Sequence, residues 1–121
     1  MKGIKDAVSS LTCDNILECF YGLNESDVQI YRMLAEHDEM RIEEISRQSG
    51  RSENTTYKSL QKLMMAGIVL REKRVIKGGG YYYTYRALPP DEVAKMMERI
   101  LEEWCVKVRD TIIEFKNSYR R

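Results

Sequence analysis

Ten basic side chains lie between positions 41 and 86: Arg41, Arg47, Arg51, Lys58, Lys62, Arg71, Lys73, Arg74, Lys77 and Arg86. Only Glu43, Glu44, Glu53 and Glu72 oppose them, so this stretch carries +6 in a chain whose net charge is +1. Residues 24–40 compensate with −4. Such polarity suits an anionic partner better than the whole-chain balance suggests. Groups for covalent or metal chemistry are scarce by comparison. His37 is the single histidine, and Cys13, Cys19 and Cys105 include no C-x-x-C pair. No metal or cofactor is expected from that spacing. There is no phosphate-cradling G-x-x-x-x-G-K and no plausible nucleophile set, so no catalytic residues are assigned and an enzyme is not expected.

A chain of 121 residues supports one domain with a core, plus an appended helix. No uncharged run approaches the ~18–20 residues of a membrane span, and the start is too polar for a signal peptide. An odd number of thiols fits a reducing compartment. The expectation is a soluble cytoplasmic protein with no membrane partner.

The elements that must position the basic block can be placed from their punctuation. Up to Gly22 the chain reads as one or two short helices with Leu11, Ile16, Leu17, Phe20 and Tyr21 as apolar contacts. Asn24 caps the next helix, Asp27 sits near the positive end of its dipole, and Val28, Tyr31, Leu34 and Ala35 follow at helical spacing. That helix fades at His37-Asp38-Glu39. Met40-Arg41-Ile42 is a short extended link into a brief helix, with Ile42 and Ile45 inward, that stops at Gly50.

Ser52 caps a longer helix to about Ala66, with Thr56, Leu60, Leu63 and Met64 inward and Gly67 as its stop. Its opposite face carries Asn54, Thr55, Lys58, Gln61 and Lys62, with Tyr57 on the flank. A β-branched run from Ile68 to Ile76, a Lys77-Gly78-Gly79-Gly80 tip and a return strand Tyr81–Leu88 make a ribbon. About half of Tyr81, Tyr82, Tyr83 and Tyr85 should face the core, leaving Tyr82 able to face out. Pro89-Pro90 opens a last helix to about Ser118.

Helix, short helix, turn, longer helix and glycine-tipped hairpin is the order of a winged helix-turn-helix. The fold class is therefore mainly α with a small β-hairpin wing. The second helix of such a pair can enter a major groove, and Lys73, Arg74 and Lys77 around the glycines suit a phosphate backbone or minor groove.

At these residues a resemblance becomes specific. Gly50-Arg51-Ser52-Glu53-Asn54-Thr55-Thr56-Tyr57-Lys58-Ser59-Leu60-Gln61-Lys62-Leu63-Met64-Met65-Ala66-Gly67-Ile68-Val69 resembles the recognition-helix segment of the TrmB family of transcriptional regulators, with MarR-like winged helices as near neighbours. Gly22-Leu23-Asn24-Glu25-Ser26-Asp27-Val28-Gln29-Ile30-Tyr31-Arg32-Met33-Leu34 is similar to that family's first helix, and Tyr85-Arg86-Ala87 to the strand leaving its wing. The match covers about 22–88. Ser46 and Thr56 stand where Ala and Val or Ile are usual, and each hydroxyl is expected to bond a backbone carbonyl one turn back. Larger members continue into a sugar-binding effector domain; one long helix follows the wing here, so a short form is expected.

The resemblance implies a DNA-facing set of Arg51, Ser52, Asn54, Thr55, Tyr57, Lys58, Gln61 and Lys62. Asn54, Thr55 and Lys58 would reach base edges, while Ser52, Tyr57 and Lys62 would position phosphates. The expected organisation is an N-terminal helical segment (1–22), a winged helix-turn-helix (23–88) and a C-terminal dimerisation helix (89–121). On that last helix Val93, Met97, Ile100, Trp104, Val108, Thr111 and Phe115 form an apolar stripe that Met96, Leu101, Cys105, Ile112 and Ile113 widen. The body ahead of it is too small to cover the stripe, so a second copy should. The expected activity is sequence-specific binding of double-stranded DNA by a homodimer, with helix 52–66 in the major groove and wing 73–81 on the backbone or minor groove. The alternative is a winged-helix protein-interaction module that does not grip DNA. No effector is assigned.

Overall fold

The computed structural model describes residues 3–120. The chain divides between Pro89 and Pro90 into two compact units. The first opens with α1 (Ile4–Ser9) and α2 (Ile16–Tyr21). Leu11 is exposed, so it is not the packing contact its apolarity suggested, whereas Ile16, Leu17, Phe20 and Tyr21 are half-buried. Gly22 ends α2 in the left-handed region, at φ 66°.

α3 (Glu25–Ala35) starts with a reciprocal capping box. The Asp27 amide donates to Asn24 Oδ1 at 2.9 Å and the Asn24 amide donates to Asp27 Oδ2 at 3.0 Å. Two of the helix's orphan donors are thereby satisfied. Its inward face is Asp27, Val28, Ile30, Tyr31 and Leu34. Ala35 is exposed, a correction to the spacing argument: Ile30 takes the place in the core instead.

α4 (Ile42–Ser49) ends at Gly50, whose φ of 72° strains any residue with a Cβ. The Ser52 hydroxyl then caps α5 (Glu53–Met65), accepting from the Thr55 amide at 3.1 Å. α5 buries Thr56, Ser59, Leu60 and Leu63 against α3 and α4. The chain turns at Gly67 (φ 79°) into β1 (Val69–Val75), which pairs antiparallel with β2 (Tyr81–Ala87) in the register Val69↔Ala87 to Val75↔Tyr81. The link before α4 does more than connect. Met40 and Tyr85 exchange backbone hydrogen bonds of 2.9 and 2.8 Å, adding a bridge to the ribbon's base. The Tyr31 hydroxyl donates to the Leu88 carbonyl at 2.8 Å and ties α3 to the strand exit. Ile30, Leu34, Met40, Ile45, Leu60, Leu63, Ile68 and Val69 are the fully buried apolar centre.

The two polar substitutions in this core behave differently from expectation. Ser46 Oγ donates forward to the Arg51 carbonyl rather than back along its helix, and so closes the turn between α4 and α5. Thr56 Oγ1 is buried without a hydrogen-bond partner among the described residues. Desolvating a hydroxyl without compensation costs about 1–3 kcal/mol. Thr56→Val, which keeps the shape, is therefore expected to stabilise the fold by about 1 kcal/mol, read as a higher denaturant midpoint with an unchanged slope. A lower midpoint would show that the hydroxyl has a partner.

The second unit is α6 (Pro90–Ser118), a 29-residue helix that spans roughly 40 Å at ~1.5 Å per residue. None of the helices described is long and apolar enough to cross a membrane.

Candidate nucleic-acid interface

α5 separates its polar side chains into two groups. Asn54, Thr55, Lys58 and Gln61 are exposed, and Arg51 and Tyr57 flank them half-buried. Ser52 and Thr55 are coupled through their hydroxyls at 3.0 Å, so the cap also orients Thr55. The amides of the first turn place the helix's positive end at Arg51 and Ser52, a polarity that favours phosphate.

Lys62, though 43% exposed, forms the second group because it is paired within the protein. Its ammonium lies 2.5 Å from Oδ2 of Asp27, a carboxylate whose side chain is 1% exposed. Ser59 Oγ donates to Oδ1 of the same carboxylate at 2.6 Å. Burial pushes the Asp27 carboxyl up, but the Asn24 amide, Lys62 and Ser59 together outweigh it and hold it below the ordinary carboxylate value.

The ribbon is also two-faced, since side chains alternate along each strand. One face carries Arg71, Lys73 and Val75 opposite Tyr85, Tyr83 and Tyr81. Arg71 lies 4.3 Å from the centre of the Tyr83 ring and Lys73 4.2 Å from that of Tyr81. These are cation–π distances that hold the charges over flat aromatic surface. Burial raises the Tyr85 phenol, and the Arg71 side chain opposes that shift by hydrogen bonding to it. Arg71 also reaches α5: with Tyr57, Lys58, Gln61, Lys62, Met64 and Met65 it lines an open groove of about 580 Å³. The basic wing face and the exposed face of α5 are thus continuous.

The other ribbon face is a network of opposite charges. Arg74 donates to both oxygens of Glu39, at 3.0 and 2.6 Å, and also pairs with Glu72 at 3.3 Å. Glu72 in turn pairs with Arg86 at 2.9 Å, and Thr84 donates to Glu39 at 2.6 Å. Arg74 is therefore engaged with protein carboxylates. Tyr82, on this same face, is half-buried with the Arg41 guanidinium 4.2 Å from its ring centre. Tyr85 alone of the four strand tyrosines is buried, fewer than the half that alternation suggested. Among the described residues, Arg51, Lys58 and Lys77 have no ion-pair partner. Arg71, counted in the basic block but left out of the expected DNA-facing set, is the residue that joins the two faces; its signal was its place two residues before Lys73 on one strand.

Arg74, followed by Thr84, holds the Glu39 carboxyl at about 2. A depressed carboxylate contributes stability that is complete above its unfolded value, about 4.3, and is lost as pH falls through the folded value. The protection of β1 and β2 amides, exchange taken relative to the intrinsic rate at each pH, is expected to fall as pH drops from about 4 to about 2. Glu39→Gln should produce the same loosening at neutral pH. Equal protection in Glu39→Gln and the parent would mean that Glu39 does not hold the wing.

On α6, Val93 is buried, Met97 and Ile100 are half-buried, and Leu101, Trp104, Val108, Ile112 and Phe115 are exposed. The three cysteines are free and exposed. No cluster among the described residues could hold a metal ion.

Comparison with known proteins gives this geometry a family. Residues 17–91 match the model of the sugar-specific transcriptional regulator TrmB. The uncharacterized protein MJ1503 of Methanocaldococcus jannaschii is 33% identical over 93% of this chain and 86% of its own length. Its MJ1082 is 30% identical over 95% of both. Among solved structures, a possible transcriptional regulator from Methanosarcina mazei superposes with a TM-score of 0.73 at 18% identity, covering 86% of this chain and 88% of that one. The ST1889 protein of Sulfolobus tokodaii follows at 0.58 and 23%, covering 90% and 93%. The fold is a winged helix-turn-helix, and the chain belongs to the TrmB family of transcriptional regulators.

Proposed function

We propose that this protein is a homodimeric, sequence-specific regulator that binds double-stranded DNA. α5 enters the major groove and the wing tip rests on the backbone or minor groove. One observation carries the reading: the exposed face of α5 and the basic face of the ribbon adjoin through Arg71, while the wing's carboxylates lie on the opposite ribbon face. Asn54, Thr55 and Lys58 read base edges. Arg51, Ser52, Tyr57, Lys73 and Lys77 contact phosphates or sugars, with Gln61 at the groove edge. Arg74 shapes the wing through Glu39 rather than gripping DNA.

The dimer reading rests on α6. Leu101, Trp104, Val108, Ile112 and Phe115 are 44–63% exposed at three- and four-residue spacing along one face of α6, an apolar stripe of the kind that marks an interaction surface. In this reading α6, with the exposed Ile4 and Val8 of the N-terminal segment, joins two copies so that their α5 helices meet half-sites about one helical turn apart.

A mobility-shift series over genomic fragments, including the gene's own promoter, tests the reading. The expected result is one or more fragments bound at least ~10³-fold tighter than competitor DNA. Binding no tighter to any fragment than to competitor would instead favour a winged-helix protein-interaction module.

A further inference from the structure

Asp27 is the most deeply buried ionisable group described, and DNA contact makes no use of it. It stands in the first turn of α3, yet two of its three partners, Ser59 and Lys62, belong to α5. Those residues lie one helical turn apart, on the border between the buried stripe of α5 and its exposed face. The third partner is the Asn24 amide, which locks the carboxylate rotamer within the capping box. A rotation of α5 by one residue, ~100°, or a slide by one turn would remove both α5 partners together. A hydrophobic contact tolerates such slippage better than two short charge-assisted bonds at 2.5 and 2.6 Å do. The pair has one buried member, Asp27 at 1% exposure, and one at the surface, Lys62 at 43%, so it adds little net stability, and register is the role for which such pairs are best attested.

We propose that Asp27 is the positioning residue of the DNA-reading helix: it fixes the rotation of α5 through Ser59 and Lys62, and it withdraws the Lys62 charge from the phosphate-binding set. The inference rests on the DNA-binding reading and revises one residue of it. Lys62 is an anchor held by Asp27 at the edge of the groove, and the phosphate contacts come from its neighbours.

Two quantities separate the anchor from a phosphate contact: the slope of log affinity against log salt, and the ratio of affinities for the selected fragment and for competitor DNA. Each phosphate contact contributes ~0.9 to the slope. Lys62→Gln should leave the slope at its parental value, whereas Lys58→Ala flattens it. Ser59→Ala keeps both charges and should lower the specificity ratio about tenfold with the slope unchanged. Asp27→Asn releases Lys62 and should steepen the slope by up to ~0.9 per subunit while lowering the ratio. Lys62→Gln should also lower the ratio, and Lys62→Arg should restore it.

A slope that flattens in Lys62→Gln as it does in Lys58→Ala overturns the inference but leaves DNA binding intact. So does an unchanged ratio in Ser59→Ala. A parental protein that prefers no fragment sinks the DNA reading instead. The contact is then read by a double-mutant cycle on unfolding with Asp27→Asn and Lys62→Gln, where strict additivity overturns it.

Discussion

Raising salt from about 50 to about 200 mM is expected to weaken binding to the selected fragment by ~10³–10⁵-fold, as for a dimer contacting 6–10 phosphates. The cause is release of counterions condensed on the duplex, and it scales with the number of protein cations that replace them. The structure narrows which cations those are. Arg74 and Arg86 are matched by Glu39 and Glu72, and Lys62 by Asp27, whereas Arg51, Lys58 and Lys77 carry no carboxylate partner among the described residues. Lys58→Ala should therefore flatten the slope by ~0.9 per subunit, or ~1.8 for a dimer. Arg74→Ala should leave the direct slope nearly unchanged and act by loosening the wing. Equilibrium titration at several salt concentrations measures both. If Arg74→Ala flattened the slope as much as Lys58→Ala, the division of the ribbon into a contact face and a structural face would be wrong.

Placing aspartate at both Leu101 and Ile112 is expected to dissociate the dimer and cost DNA affinity ~10²–10⁴-fold. The two side chains are 49% and 59% exposed and neither belongs to the buried core, so the substitutions remove little internal packing of a single copy. In a dimer they would bury four carboxylates in an apolar seam, a desolvation cost that pairing cannot offset. Once the subunits separate, each α5 binds its half-site alone and the benefit of linkage is lost. Light scattering should move from ~28 kDa to ~14 kDa, since one chain weighs 14.2 kDa. A parental protein that already scatters near 14 kDa at micromolar concentration would remove the dimer. A double variant that dissociates yet binds undiminished would remove the need for it.

What sequence made legible and what it hid have the same physical origin. The starts and stops of α3, α4 and α5 are local: Asn24 and Ser52 cap within one turn, and Gly22, Gly50 and Gly67 supply left-handed turns. The inward residues Leu60 and Leu63 followed from periodicity alone. Asp27 did not, because a polar residue in a first turn is read as a cap or dipole contact. The residues that justify its burial, Ser59 and Lys62, lie more than thirty positions away. Glu39 was hidden similarly. It sits in a polar stretch where a helix fades, and its partners Arg74 and Thr84 arrive only when the wing folds over it. Charge counting gave every cation between 41 and 86 equal weight; long-range pairing divides them. Ser46 shows the same limit within a short span, since its hydroxyl turned forward to Arg51 where helix habits point back.

The central claim is that the face bearing Asn54, Thr55 and Lys58, together with the wing tip, is what meets DNA. Backbone amide shifts of the labelled full chain, titrated with the selected duplex, test it residue by residue. The largest changes should fall at 51–58, 61, 71–73 and 77–80, with α1 and the exposed part of α6 almost silent. Changes concentrated on α6, with 54–58 unmoved by saturating duplex, would contradict the account.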